Sequence, residues 1–310
     1  MTSTADGINM NEYLARLGLT RDALTSYAPR SLELLTLLQE THAIAIPFEN
    51  LAPARVFPVH PDHVDASIPG QVVSIASDKI FQKLVRDRRG GYCFETNGLF
   101  ALALRSLGYQ VDTIGGRVVL PAPDVAQPYY ELQALTHTLL LVYVEGDDTP
   151  YLCDVGFGGR GMPPRPMRLC TTASIELATG ERYALARAHV NHAVEPSTYG
   201  GCLDVSISDG ANWAVVYATG PNKPMHPSYV FHPAMKMAAK DYEMANWYCS
   251  TSPFPNMTRH PIVALRTGKQ LLTLRDNAFS VIEDGRVIES RTIERDELLD
   301  LLRDRFGLTP

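Results

Sequence analysis

The chain has 310 residues, enough for one large domain or two to three small ones with a sizeable core. Its 45% hydrophobic and 20% charged residues match an ordinary globular protein, and no segment approaches the roughly eighteen unbroken apolar residues that would predict a membrane span. The net charge of -6, with no Lys/Arg-rich stretch carrying interleaved aromatics, argues against a nucleic-acid partner and leaves a small molecule or peptide.

The N-terminus, MTSTADGINM, has neither the basic start nor the apolar stretch of a secretory signal, so a cytoplasmic protein is expected. NEYLARLGL and SLELLTLLQETHAIAI read as helices, the second with Leu34, Leu35 and Leu38 at helical spacing. Residues 52–78, proline-rich and without a sustained period, read as a long surface loop. FETNGLFALALRSLGY gives a further helix that Gly108 ends. From Gln110 onward the segments QVDTIGGRVVL, THTLLLVYV, YLCDVGF, CLDVSIS and NWAVVYAT predict a β-sheet or small barrel. The chain closes with strands in LLTLRDNAFSVIEDGRVIESRTI and an amphipathic helix in ERDELLDLLRDRFG.

Five cysteines, Cys93, Cys153, Cys170, Cys202 and Cys249, with no CxxC pair, suit reduced thiols better than a disulfide framework. Cys93 stands out, because it follows Gly90 and Gly91 and opens a helix, whose N-terminal dipole favours a thiolate. A cysteine nucleophile also needs a base and a group to orient that base. His137 opens an apolar strand, and Asp154 lies within another, where an unpaired charge would be costly. A plain hairpin centred on EGDD puts the two on one face as diagonal neighbours at roughly 7 Å. Glu95 and Asn97 are read as fixing the helix start by local hydrogen bonds.

RRGGYCFETNG, THTLLLV and CDVGFGG, in that order, resemble the three active-site segments of the arylamine N-acetyltransferases, while IPFENL and NWYCSTSPF resemble the family's N- and C-terminal signatures. The resemblance implies an α+β fold: a helical bundle over 1–108 carrying the nucleophile, a β-barrel over 109–218 carrying the histidine and aspartate, and an α/β lid over 219–310, with a cysteine-protease-like active-site arrangement. It implies that Cys93 accepts the acyl group, that His137 is its base and that Asp154 orients His137. Acetyl-CoA is the implied co-substrate, with propionyl-CoA and malonyl-CoA as open alternatives, and an arylamine, arylhydrazine or hydrazide the implied acceptor. Phe48 and Phe157 are implied walls of the acceptor pocket, and Gly115 and Gly116 implied neighbours of the coenzyme A pyrophosphate. Glu49 and Arg89 are read as a buried, supporting ion pair. The loops 52–78 and 119–136 look longer than usual for this family and stand to reshape the cleft mouth.

Arg117 or Arg160 could pair with a malonyl carboxylate. Cys153, Cys170, Cys202 and Cys249 are read as packing residues, and GFGGRG as close backbone packing rather than a phosphate loop. His226 and His232 are poor metal ligands, and no metal is expected. The rival readings are a carrier-dependent amide synthase of the same fold, a Cys-His-Asp hydrolase and a silent binding module.

Overall fold

Side-chain caps and leucine stripes shape the first third of the chain. Asn9 accepts the N–H groups of Asn11 and Glu12 to start α1 (Met10–Arg16), and Ser31 accepts that of Leu34 to start α3 (Leu32–Ala45); the short α2 (Arg21–Leu24) lies between them. Leu34, Leu35 and Leu38 face Leu99, Phe100, Ala103 and Leu104 in one core. The latter four belong to α5 (Cys93–Ser106), which ends where Gly108 adopts a φ of +86°. The structure, a computed structural model, describes residues 8–121, 130–190, 202–203, 205–206 and 210–310.

Before α5 lie β1 (Phe48–Glu49), a single 3-10 turn at Pro61–His63, α4 (Ser77–Phe81) and a π-helical turn at Gln82–Arg86. The segment 52–78 is not confined to the surface. Phe57 is buried in the core of the C-terminal sheet, and Val73 packs beside Cys93. Asn246 secures the backbone here, its Nδ2 donating to the Val73 carbonyl at 2.9 Å. Apolar residues scattered without a period therefore anchor an irregular segment that proline content alone would leave in solvent.

The middle of the chain forms a ten-stranded antiparallel sheet that curls toward a barrel. Its path runs through β5 (Met167–Arg168), β4 (Tyr151–Cys153), β3 (Tyr130–Tyr143), β2 (Gln110–Pro121), β11 (His226–Lys236), β10 (Asn212–Ala218), β7 (Arg182–Val190) and β6 (Ser174–Glu176). The short β8 (Cys202–Leu203) and β9 (Val205–Ser206) pair with β3 and β7. This sheet continues past residue 218, because β11 inserts between β2 and β10.

Most of 119–136 is strand rather than loop: Arg117–Pro121 pairs with Tyr130–Leu135, leaving 122–129 outside the described residues. The alternation of Tyr130 and Leu132 with Glu131 and Gln133 accounts for it.

From Ala239 onward the chain holds α6 (Ala239–Thr251), α7 (Asn256–Arg259), four strands and α8 (Leu298–Phe306). The strands β12 (Ile262–Thr267), β13 (Gln270–Arg275), β14 (Ala278–Glu283) and β15 (Arg286–Thr292) extend from β1 in a five-stranded sheet. Asn50, next to β1, fixes the approach to β12: its Nδ2 donates to the carbonyls of Met257 and His260, and its Oδ1 accepts the Ile262 N–H at 2.6 Å. The PFENL segment thus ties the first third of the chain to the last. Among the described residues no helix is long and apolar enough to cross a membrane.

Candidate active site

Cys93 is the first residue of α5. The Glu95 carboxylate turns back to accept the Tyr92 N–H at 3.2 Å, which fixes the helix start, and it also pairs with Lys83 at 2.7 Å. The glycines before the cysteine allow close passage. A Cβ on Gly90 would meet the Pro47 carbonyl oxygen at 2.4 Å, and one on Gly91 would meet the Glu95 carboxylate at 2.8 Å.

The β3–β4 hairpin aligns Leu140 with Cys153, which leaves Asp154 diagonal to His137, the relation that the EGDD hairpin reading predicts. His137 Nε2 lies 2.8 Å from Asp154 Oδ2. That contact leaves Nδ1 as the ring nitrogen available to the Cys93 thiol, whose sulfur lies 3.6 Å from the Thr136 carbonyl oxygen one residue before His137. All three side chains are buried.

Asp154 is held from several directions. Its Oδ1 accepts Asn97 Nδ2 at 2.9 Å and the Gly156 N–H at 2.8 Å. Asn97 also donates to the Thr138 carbonyl at 2.7 Å and accepts the Val155 N–H at 3.0 Å. Asn97 therefore bridges α5, the strand of His137 and the segment of Asp154, and does not serve the helix start. Gly156 has a steric role as well, because a Cβ there would lie 2.7 Å from Cys93 Cα.

Burial opposes charge on all three groups, and their mutual contacts decide the outcome. Burial disfavours the imidazolium, but Asp154 overrides it and pushes His137 up to about 10. Burial likewise works against the Asp154 carboxylate, yet His137, Asn97 and Gly156 hold it below the usual carboxylate range. The Cys93 thiol is pushed up by burial, against the pull of His137 and of the Thr138 N–H toward the thiolate.

The thiol opens onto a cleft of about 460 Å³ whose lining includes Phe48, Phe157, Phe254 and Met257. Phe157 meets the His137 ring edge-on with centroids 5.3 Å apart. Tyr229, which the sequence did not single out, packs against the same imidazole at 4.7 Å, and its buried hydroxyl has no hydrogen-bond partner among the described residues. Gly115 and Gly116 do not line the cleft. They pair with Thr138 and His137 in the β2–β3 ladder, and a Cβ would meet Met237 Sδ at 2.8 Å or Leu139 Cδ2 at 3.0 Å, so close packing beneath His137 accounts for them.

Arg117 and Arg160 are also absent from the lining; Arg117 donates to the Gln133 carbonyl at 3.2 Å. The cleft's one arginine is Arg275, an exposed residue that forms no ion pair among the described residues. Cys249, read as a packing residue, is buried in a cluster with Tyr92 and Phe94 and also lines the cleft; Cys153 is sealed in the core.

Glu49 and Arg89 meet at 3.3 Å, within a larger buried group: Lys83 Nζ lies 3.7 Å from Glu49 and 2.7 Å from Glu95, and the Arg89 guanidinium sits 4.3 Å from the Phe57 ring centroid. His226 is hydrogen-bonded to Tyr130, and His232 Nδ1 accepts the Ala234 N–H.

The family described as N-acetyltransferase matches residues 31–309. The arylamine N-acetyltransferase of Mycolicibacterium smegmatis is 30% identical over 302 residues, 97% of this chain and 92% of that protein. That of Mycobacterium tuberculosis is 32% identical over 280 residues, 90% of this chain and 83% of its own. The chain belongs to the arylamine N-acetyltransferase family. Among solved structures, the Mycobacterium marinum arylamine N-acetyltransferase in complex with CoA superimposes with a TM-score of 0.72 at 28% identity, covering 96% of this chain and 92% of that one. The helical, barrel-like and C-terminal α/β parts thus form the α+β fold that the resemblance implied, and this arylamine N-acetyltransferase family member is an acyltransferase.

Proposed function

We propose that the chain moves an acetyl group from acetyl-CoA through a thioester on Cys93 to the nitrogen of an arylamine, arylhydrazine or hydrazide. The observation that carries the reading is the buried Cys93–His137–Asp154 chain opening onto an aromatic-lined cleft. In the first half-reaction the Cys93 sulfur attacks the thioester carbonyl while the proton rests on His137, then the C–S bond to coenzyme A breaks and His137 protonates the leaving thiolate. In the second, the amine attacks the acyl-enzyme, His137 takes its proton, and the Cys93 thiolate leaves. Asp154 supports the imidazolium throughout. Backbone N–H groups at the start of α5 serve as donors to the developing oxyanion.

The cleft supports this acceptor class through its rings. Phe157 and Phe48 give an aryl amine apolar faces, with Phe157 next to the imidazole that receives the proton. Arg275 favours a donor with anionic groups outside the acyl chain, as coenzyme A phosphates provide. A cytoplasmic location fits that donor.

The test is the intermediate itself. Enzyme mixed with acetyl-CoA alone is expected to gain one acetyl mass, mapped by peptide analysis to Cys93, and aniline or a hydrazide is expected to discharge it as the N-acetyl product. Steady acetyl-CoA hydrolysis without an adduct would favour a hydrolase. No reaction with any CoA thioester would favour a carrier-dependent synthase.

A further inference from the structure

Cys249 is a second thiol facing the same cleft as Cys93, and the acyl-transfer steps give it no part. It sits on α6, nearly three turns after the helix start. Its sulfur lies 3.8 Å from the Thr136 carbonyl oxygen, while Cys93 Sγ lies 3.6 Å from the same oxygen. The two sulfurs thus share one contact atom, and both belong to one buried cluster with Tyr92 and Phe94. Asn246, one turn before Cys249, holds α6 to this place: its Oδ1 accepts the Tyr92 hydroxyl and its Nδ2 donates to Val73.

We propose that Cys93 and Cys249 form a reversible intramolecular disulfide when a hydroperoxide enters the cleft. The Cys93 thiolate attacks one peroxide oxygen, the O–O bond breaks, and the sulfur becomes a sulfenic acid as water or an alcohol leaves with a proton from His137. The Cys249 sulfur then attacks Cys93 Sγ. The S–O bond breaks, hydroxide leaves and takes up the Cys249 proton as water, and the S–S bond forms. Two thiols and one hydroperoxide give one disulfide, with two waters in the case of hydrogen peroxide.

The roles are not interchangeable. Burial pushes Cys249 up to about 12 against the pull of Thr136, whereas Cys93 has His137 and a helix start favouring its thiolate. Cys93 is thus oxidised first and Cys249 resolves it. The consequence is protection, because a resolved sulfenic acid is returned by a dithiol while a sulfinic acid is not.

The inference rests on the reactivity of Cys93, not on acetyl transfer, so the first readout uses neither a CoA thioester nor an amine. Reduced full-length protein treated with equimolar hydrogen peroxide is expected to lose two hydrogen masses, and a non-reducing digest to join the peptides holding Cys93 and Cys249. Acyl transfer is expected to fall in step with the joined peptide and to return with dithiothreitol. After about a tenfold excess of hydrogen peroxide instead, dithiothreitol is expected to restore less than about a tenth of the starting activity of Cys249→Ala, whose Cys93 sulfenic acid consumes a second peroxide and becomes sulfinic acid, against more than about half in the unaltered protein. Sulfinic acid on Cys93 as the main product of the unaltered protein, a joined peptide with any other cysteine, or equal recovery in both proteins would overturn the proposal. Should Cys249→Ala fail to fold, the joined peptide in the unaltered protein decides alone. A joined peptide in a protein that never accepts an acetyl group would leave this inference standing and remove the acyl-transfer reading.

Discussion

Asn97 donates to Asp154 Oδ1 at 2.9 Å while its own carbonyl accepts the Val155 N–H at 3.0 Å, so one buried amide fixes both the carboxylate and the backbone that carries it. Truncating Asn97 to alanine leaves one oxygen of Asp154 short of a donor and the Val155 N–H without an acceptor. Each loss is worth about 1–3 kcal/mol in a buried setting. If the loss falls on the transition state, kcat drops about 5- to 150-fold. Single-turnover acetylation checks this, with Cys93 still the residue labelled. A rate within twofold of the unaltered protein would show that Asp154 is held adequately without the amide.

The pH dependence follows from which group raises His137. Asp154 sustains the imidazolium up to about 10, so acylation by acetyl-CoA is expected to decline on the alkaline side near that value as His137 loses its proton. Removing the negative charge in Asp154→Asn removes that support and leaves burial, which disfavours the cation. The alkaline limb is then expected to move toward lower pH and the maximal rate to fall by orders of magnitude. A limb that stays in place would mean that another group sets it. The same sign governs stability. A folded-state value above the ordinary 6.5 stabilises the fold fully below 6.5, and the contribution is lost as pH rises toward 10.

The three acid-base groups and the hairpin that aligns two of them were legible because they are local: an odd polar residue in an apolar strand, and a turn with a countable register. Asn97 reads as fixing the helix start, and its partner was not legible, since Asp154 comes from a segment that only tertiary packing brings to α5. Cys249, Tyr229 and Lys83 were invisible as site residues for the same reason. Each comes from a separate element brought in by tertiary packing, and no period or spacing marks it. Residues 119–136 read as one loop from their length between two signature segments, although the alternation of Tyr130 to Leu135 pairs as strand with Arg117–Pro121.

The buried group around Glu49 predicts a stability defect separable from catalysis. Glu49 is completely buried, accepts the Leu51 N–H at 2.6 Å and faces both Arg89 and Lys83. Glu49→Gln leaves two cations with Glu95 alone, and breaking a buried pair costs about 3–5 kcal/mol. Denaturant unfolding is expected to show that loss. The rate per Cys93 site, titrated by acetyl incorporation, is expected to stay within about fivefold, a shift of ~1 kcal/mol. Unchanged unfolding together with a lost rate would assign Glu49 to the chemistry.

Gly156 is expected to tolerate no side chain. An alanine Cβ would come within 2.4 Å of Thr96 Oγ1 and 2.7 Å of Cys93 Cα, and the second contact cannot be relieved by a rotamer. Overpacking of this kind costs about 1–3 kcal/mol, and relief requires the Asp154 segment to retreat from α5. Gly156→Ala is therefore expected to lose acylation rate by at least about tenfold even where it remains folded, since small displacements of reacting groups are costly. A crystal structure of the variant with the His137–Asp154 contact unchanged and a normal rate would contradict the packing argument.

Arg275 separates donors by what they carry beyond the acyl group. It is exposed at the cleft, at the end of β13, and has no carboxylate partner among the described residues, while the neighbouring Asp276 is engaged with His260 at 2.8 Å. An exposed arginine gains only about 1 kcal/mol from one anionic partner, so Arg275→Gln is expected to raise KM for acetyl-CoA by about three- to tenfold with kcat unchanged. S-acetylpantetheine has the same reactive end but no phosphate, and its KM is expected to be insensitive to the substitution. Malonyl-CoA provides the control for the acyl end. If Arg275 instead met a malonyl carboxylate, the substitution would penalise malonyl-CoA and malonylpantetheine alike and spare acetyl-CoA. Raised salt is expected to weaken acetyl-CoA binding in the unaltered protein more than in Arg275→Gln, because screening acts on the charge pair that the variant lacks. Equal KM changes for acetyl-CoA and S-acetylpantetheine would show that Arg275 shapes the cleft rather than holding a phosphate.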